Sequence, residues 1–218
     1  MSKVRVNCFT ISLDGYGAGL NQTEQAPLGQ GGMELHGWFR PTRTFKSMLG
    51  DESGGTTGID NGFAQRGTEN LGAWILGRNM FGPIRGDWPD DAWRGWWGNN
   101  PPYHVPVFVL THYARQPLEM EGGTIFHFVT GGADEALKRA KEAAGSRDVR
   151  VGGGAETIRQ YLRTGAIDEM HLAVSPVLLG SGEHLLRDLD LRALGYRVAS
   201  TVAGEGATHV MIDRAGAS

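Results

Sequence analysis

Eight short segments of the chain carry the hydrophobic pattern of β-strands. Residues 4–11 alternate apolar and polar side chains, whereas 73–76 and 105–110 are continuous apolar runs, as in strands that are buried on both faces. The predicted strands are residues 4–11, 73–76, 105–110, 124–130, 149–151, 170–179, 196–201 and 208–212.

Helical periodicity separates several of these strands. Residues 133–144 and 155–163 each place apolar side chains on one face and charged side chains on the other, and residues 31–48 show a third helical pattern. Because strands and helices alternate, the sequence predicts an α/β sandwich around a largely parallel sheet of eight strands. The short glycine-rich link at 203–207 predicts that the last two strands form an antiparallel hairpin.

Two long segments resist assignment to helix or strand. Residues 15–32 and 50–68 are rich in glycine, asparagine, glutamine and threonine, and we interpret both as loops. Loops of this length in a compact domain often act as lids over a binding site, and disorder is the alternative.

Composition narrows the class of protein. The 218 residues suit one domain, and 34 of them are glycine, more than twice the ordinary usage of roughly 7%. A net charge of −3 without long basic runs argues against nucleic-acid binding. The single cysteine, Cys8, excludes an intrachain disulfide framework. With neither a signal-peptide pattern nor an apolar run of membrane-spanning length, we expect a single soluble, cytoplasmic domain, residues 1–218, without membrane or nucleic-acid partners.

The common catalytic signatures are missing from the sequence. There is no P-loop, no complete Gly-x-Gly-x-x-Gly after a strand, and no Gly-x-Ser-x-Gly elbow. The seven histidines lack the spacing of zinc ligands, so we expect no metal site. An ordinary Rossmann enzyme, a serine hydrolase and a zinc enzyme are therefore disfavoured.

Three strand ends have residues suited to binding phosphate. Gly152, Gly153 and Gly154 follow one predicted strand and precede a helix, so backbone N–H groups could approach an anion closely. Arg78 follows a second strand and could clamp a phosphate through its guanidinium, and Thr111 follows a third. Open α/β sheets bind ligands at the carboxyl ends of their strands, and several phosphate-suited ends favour a dinucleotide.

These segments resemble a known family. Val-Gly-Gly-Gly-Ala-Glu-Thr-Ile-Arg-Gln-Tyr-Leu at 151–162, Leu-Gly-Arg-Asn-Met at 76–80 and Val-Leu-Thr-His at 109–112 resemble segments of dihydrofolate reductases. Ser-Leu-Asp-Gly at 12–15 and Ser-Pro-Val-Leu-Leu-Gly-Ser-Gly at 175–182 are more similar to the reductase domain of the bifunctional riboflavin-biosynthesis deaminase/reductase. The resemblance covers about residues 3–213 and implies a three-layer dihydrofolate reductase-like fold.

The resemblance also implies a site for NADPH and, as in riboflavin-branch relatives, a homodimer. By this likeness, residues after four strands would contact the cofactor, and the loop at 15–32 would close over the nicotinamide. The implied cofactor residues are Thr10, Gly77, Arg78, Asn79, Met80, Leu110, Thr111, His112, Gly152, Gly153, Gly154, Ala155, Glu156 and Thr157.

The substrate side departs from dihydrofolate reductases. By the resemblance, Leu35 and Trp38 are the candidate substrate-binding residues. When Trp38 is aligned with the aromatic pair of dihydrofolate reductases, Leu35 takes the position at which those enzymes carry an acid. This difference argues against folate reduction. A basic residue that some relatives have after the glycines is Ala155 here, so NADPH selectivity rests on Arg78. The proton could come from solvent or from Asp14, the candidate catalytic residue, for which a turn-forming role is the alternative.

The tryptophans at 88–97 fit either a stacking site for a planar heterocycle or a small core under a loop. The resemblance favours an NADPH-dependent oxidoreductase that transfers a hydride to a C=N or C=O bond of a small, heterocyclic substrate. The alternatives are a 5-amino-6-(5-phosphoribosylamino)uracil reductase and a non-catalytic NADP-binding sensor.

Overall fold

One nine-stranded sheet organises the protein, whose computed structural model describes residues 2–216. The strands are β1 Val4–Ser12, β2 Leu71–Gly77, β3 Pro106–Leu110, β4 Leu118–Glu119, β5 Ile125–Val129, β6 Asp148–Gly153, β7 Glu169–Ser175, β8 Tyr196–Ala203 and β9 Thr208–Arg214. Their order across the sheet is β4-β5-β3-β2-β6-β1-β7-β9-β8. The pairs from β5 through β7 are parallel, and β4/β5, β7/β9 and β8/β9 are antiparallel.

The mostly parallel α/β sheet and its antiparallel C-terminal hairpin are thus confirmed, with one strand more than the eight expected. The additional strand is β4, whose two residues are too few to show a periodic pattern. The strand expected over 170–179 ends earlier, at Ser175.

Within the described residues, five α-helices accompany the sheet. They are α1 Arg43–Met48, α2 Ile59–Arg66, α3 Arg78–Phe81, α4 Gly132–Ala144 and α5 Ala155–Arg163. The amphipathic predictions for α4 and α5 are confirmed, and Gly165 adopts the positive φ of +64° that ends α5. None of the helices within 2–216 combines the length and apolarity that crossing a lipid bilayer takes.

Two predictions for the segments before β2 are wrong. The single helix over 31–48 is a 3₁₀ helix, Gly32–Gly37, followed by α1, because the Thr42 hydroxyl caps a new helix by accepting from the N–H of Phe45. The segment 50–68 is not all loop. It contains α2, where Glu205 accepts hydrogen bonds from the N–H groups of Ile59 and Asp60.

The fold has three layers, with the sheet in the middle and a hydrophobic core on each of its two faces. On one face, Ala73, Ile75 and Phe108 join α4 and α5 in the larger core. On the other face, Leu76 and Val109 pack with the tryptophan-rich segment, and the 3₁₀ helix and α2 lie against β1. Alternate strand residues supply the two cores because the side chains of a strand point to opposite faces.

Candidate functional site

A cavity of about 900 Å³ opens at the carboxyl ends of β1, β2, β3 and β6. Almost every residue expected to hold the cofactor lines it, although the residues come from four strands. They are Thr10, Gly77, Arg78, Asn79, Met80, Leu110, Thr111, His112, Gly152, Gly154, Ala155, Glu156 and Thr157. The structure therefore brings these dispersed residues into one cleft of a size that suits a dinucleotide and a second ring.

Arg78 has an incomplete set of hydrogen bonds in this cavity. Its Nη1 donates to Oγ1 of Thr111 at 3.2 Å, while Nε and Nη2 are buried without a partner. The guanidinium lies 3.7 Å from the ring centroid of Trp88, and Tyr113 lies 5.1 Å away. Because an unpaired buried donor is costly, these free N–H groups and their positive charge indicate a site for an anion.

The N-terminus of α5 gives the cavity a second anion-binding feature. Gly154 is the N-cap residue, and a Cβ at this position would meet nothing within 4 Å, so the backbone here is open to a ligand. The Glu156 carboxylate in the first turn is turned toward Arg159 and Arg163, and the hydrogen bond from Arg159 is the main cause that lowers its pKa. Paired in this way, Glu156 opposes an anion less than a free carboxylate would.

Sequence reasoning missed a fourth phosphate-suited strand end. Thr130, Gly132 and Ala133, where β5 runs into α4, also line the cavity. A strand that runs into three glycines and then a helix identified Gly152–Gly154, and the similar pattern with two glycines at 129–133 could have revealed this end as well. Arg85, also on the cavity wall, lies in an irregular segment without such a signal.

Four of the expected site residues have other positions. Gly153 does not line the cavity; the peptide bond that joins it to Gly154 is cis. The expectation that Leu35 and Trp38 contact substrate does not fit, because both are buried at 0% and 2% exposure and neither reaches the cavity. Trp38 instead donates its indole N–H to Oγ1 of Thr10 at 2.9 Å, which leaves the Thr10 hydroxyl free to donate toward the cavity.

Asp14 also lies outside the cavity and holds a turn. Its carboxylate accepts hydrogen bonds from the Ser12 hydroxyl at 2.5 Å and from the N–H groups of Leu179 and Gly180 at 3.2 and 2.7 Å. The bond from Ser12 is the largest cause that lowers the pKa of Asp14 to about 2. An ionised carboxylate that is already bonded in this way is a poor proton donor, so the turn-forming alternative fits the geometry.

A buried hydrogen-bonded chain supports the floor of the cavity at Cys8. The N–H of Cys8 donates to Nδ1 of His171, whose Nε2 lies 3.0 Å from Nδ1 of His209. The Nε2 of His209 lies 2.8 Å from Oδ1 of Asp60. Since Nδ1 of His171 must accept, each neutral ring has its proton on Nε2, and the chain runs in one direction to Asp60. No local pattern reveals this contact, because Asp60 and His209 are 149 positions apart.

Some tryptophans of the segment 88–97 belong to a core and others line the cavity, so each of the two interpretations holds for part of the segment. Trp88 and Trp93 pack against the core on this face of the sheet, whereas Trp96 and Trp97 line the cavity. The loop at 15–32 contributes Gly17, Ala18 and Leu28 to the cavity wall.

Comparisons with known proteins give a consistent assignment. The family model described as the RibD C-terminal domain matches residues 3–210. A crystal structure of a protein described as a "putative riboflavin biosynthesis protein" of Shewanella sp. PV-4 superposes with a TM-score of 0.58 at 22% identity, covering 98% of this chain and 99% of that one. "Uncharacterized protein YwjB" of Bacillus subtilis (strain 168) is 39% identical over 62 residues, which span 28% of this chain and only 35% of that protein.

Proposed function

Since the chain belongs to the RibD C-terminal domain family, we propose that it is a reductase that uses NADPH. The observation that carries the proposal is that Arg78, with two buried nitrogens that lack a hydrogen-bond partner, and the open N-terminus of α5 lie in one cavity. Both features suit the phosphates of a dinucleotide.

The residues of the cavity divide the work of binding. Arg78, with Arg85 beside it on the wall, would hold the 2′-phosphate of the adenosine, and the α5 N-terminus at Gly154 would hold the pyrophosphate. Thr10, oriented by Trp38, would donate its hydroxyl hydrogen to the nicotinamide end. When bound, NADPH supplies a hydride from its nicotinamide ring to a C=N or C=O bond of the substrate.

The loop at 15–32 would exclude water from the nicotinamide end. Its residues Gly17 and Ala18 line the cavity, and the N–H of Gly17 donates to the carbonyl of Glu183 at 2.8 Å. Exclusion of water strengthens the polar contacts within the site and protects the reacting groups.

The test separates binding from turnover. NADPH and NADH are titrated against the protein by calorimetry, and consumption of the reduced nicotinamide is then followed by absorbance with pteridines, ribosylaminopyrimidines and carbonyl compounds. We expect saturable binding that favours NADPH, and turnover with some of these compounds. Absence of saturable binding would overturn the proposal. Binding without turnover across the panel would favour a non-catalytic NADP sensor.

The family assignment favours a second candidate, a 5-amino-6-(5-phosphoribosylamino)uracil reductase, which the same panel includes. We further propose a cytoplasmic homodimer that acts on a small molecule, and sedimentation velocity of the full chain tests the dimer.

A further inference from the structure

The cavity has an aromatic part away from Arg78, which we call the aromatic chamber and define by Trp74, Trp97 and Tyr103. Trp74 points to the cavity face of β2, and a Cβ on neighbouring Gly152 would lie only 3.0 Å from its indole carbons. The indole therefore lies across β6 at a position where only a glycine leaves room for it. The Tyr103 ring packs edge-on against Trp74, with centroids 4.9 Å apart.

Arg150 places a fixed positive charge beside this ring. Its guanidinium lies 4.1 Å from the Trp74 centroid, and it donates to the carbonyls of Gly67 and Asn7 at 2.8 and 2.7 Å. Its Nε is buried without a partner, and no carboxylate forms an ion pair with it in the part of the chain that is described. The charge of Arg150 therefore remains available to negative charge that develops in the chamber.

Three ionisable side chains that line the cavity, those of Cys8, His36 and Tyr103, are poorly matched to protonating a substrate at neutral pH. Burial lowers the pKa of His36 to about 4, so its ring is neutral, and burial raises the pKa of Tyr103 to about 12. Burial also raises the pKa of the Cys8 thiol, which donates to a backbone carbonyl. A substrate reduced beside these three groups would receive no proton from them, so it would hold negative charge until water supplies the proton.

These observations indicate which class of hydride acceptor suits the aromatic chamber. We propose that the aromatic chamber binds a planar conjugated carbonyl compound of the quinone class, stacked on Trp74. This inference rests on the proposed function, since the hydride comes from NADPH. The hydride adds to the quinone, NADPH becomes NADP⁺, and the anion, delocalised over the ring near Arg150, takes one proton from water to give the hydroquinone.

The test compares matched acceptors. 2,3-Dimethyl-1,4-naphthoquinone is substituted at both ring carbons that a thiol such as Cys8 would attack, and 1-tetralone has a similar bicyclic frame but only one carbonyl. NADPH consumption is measured with each compound and with 5-amino-6-(5-phosphoribosylamino)uracil, after subtraction of the rate without enzyme. We expect kcat/KM for the quinone to exceed that of each other compound at least about tenfold. Equal efficiencies, or a preference for the phosphorylated pyrimidine, would overturn the quinone proposal while leaving the reductase proposal standing.

Binding gives a readout besides activity. Equilibrium binding of the naphthoquinone to the enzyme saturated with NADP⁺ is measured for the unmodified chain and for Trp74→Leu and Trp74→Phe. Stacking on an aromatic ring contributes to the binding of a planar ligand, so we expect Trp74→Leu to weaken quinone binding roughly tenfold and Trp74→Phe to retain most of it.

Trp93→Leu is the matched control, because Trp93 packs on the same core but does not line the cavity. It should leave quinone affinity unchanged, and NADPH affinity should stay the same in all three variants. Quinone affinity that Trp74→Leu does not change would contradict the proposed stacking. If the unmodified chain did not bind NADPH, the proposed function itself would be contradicted.

Discussion

At the scale of single residues, the proposed preference for NADPH depends most on Arg78. Trp88 lies against its guanidinium, and Thr111 accepts one of its N–H groups, so the side chain is held in place before a ligand arrives. A pre-positioned cation loses little conformational entropy when it binds an anion.

We predict that Arg78→Ala weakens NADPH binding more than NADH binding, by about 1.5–3 kcal/mol, the scale of a lost hydrogen bond to a charged group. Dissociation constants for both cofactors are measured by calorimetry. Arg78→Lys keeps the positive charge but lacks the planar guanidinium, so its affinity for NADPH should lie between those of the unmodified protein and Arg78→Ala. An equal loss for NADPH and NADH would remove Arg78 from the 2′-phosphate.

The hydrogen bonds of Asp14 indicate a structural role in a turn rather than the catalytic role that the sequence suggested. We predict that Asp14→Asn lowers the free energy of unfolding, because two backbone N–H groups and the Ser12 hydroxyl lose an ionised acceptor. The turnover number measured with saturating cofactor should stay within about twofold, since Asp14 does not reach the cavity. A large loss of turnover in a stably folded variant would return Asp14 to a catalytic role.

At the scale of elements, two helices point their N-termini at the same cavity. α5 begins at Ala155 after three glycines, and α4 begins at Gly132 after two residues that follow β5. The N-terminal half-charges of both helices therefore favour negative charge in one place, which suits a ligand with more than one phosphate.

Glycine variants separate this binding role from a packing role. We predict that Gly154→Ala leaves the free energy of unfolding unchanged but weakens NADPH at least about tenfold, because its methyl group enters open space in the cavity. Gly72→Ala should lower the free energy of unfolding and leave NADPH affinity unchanged. Its Cβ would lie 2.7 Å from Cα of Ala144, and such overpacking costs about 1–3 kcal/mol while the cavity stays intact. Chemical denaturation and NADPH titration of both variants check this; unaffected NADPH binding by Gly154→Ala would be the contrary result.

At the scale of the whole molecule, the chain of His171, His209 and Asp60 joins the sheet to α2 and the C-terminal hairpin. Burial is the main cause that lowers the pKa of His171 from 6.5 to about 3, with smaller effects of His209, Arg150 and Arg66. The histidine therefore stays neutral in the folded protein under mildly acidic conditions.

We predict that the free energy of unfolding falls as the pH is lowered from about 6.5 toward 3. Between these values the unfolded state binds a proton at His171 that the folded state does not, so stability rises with pH, by up to about 1.4 kcal/mol per unit for this residue. Denaturation at several pH values measures the slope. His171→Gln should reduce it. Equal slopes in the unmodified protein and this variant would contradict the assignment.

Local patterns predicted most of the framework. Eight of the nine strands, α4 and α5 follow from side-chain periods of two and 3.6, which act over a few residues and can be read directly from the sequence. The short β4 and the break between the 3₁₀ helix and α1 could not be read in this way. The former has two residues, and the latter depends on the Thr42 cap within a continuous helical pattern.

The sequence by itself determined where glycines and Arg78 stand at strand ends, because a strand that runs into a glycine turn and a helix is a local feature. Only the tertiary structure decided which of these ends share a cavity, and that Arg150 lies beside Trp74, Leu35 is buried and His209 meets Asp60. These contacts join residues up to 149 positions apart. Their formation depends on sheet order and packing, which side-chain periodicity along one segment does not specify.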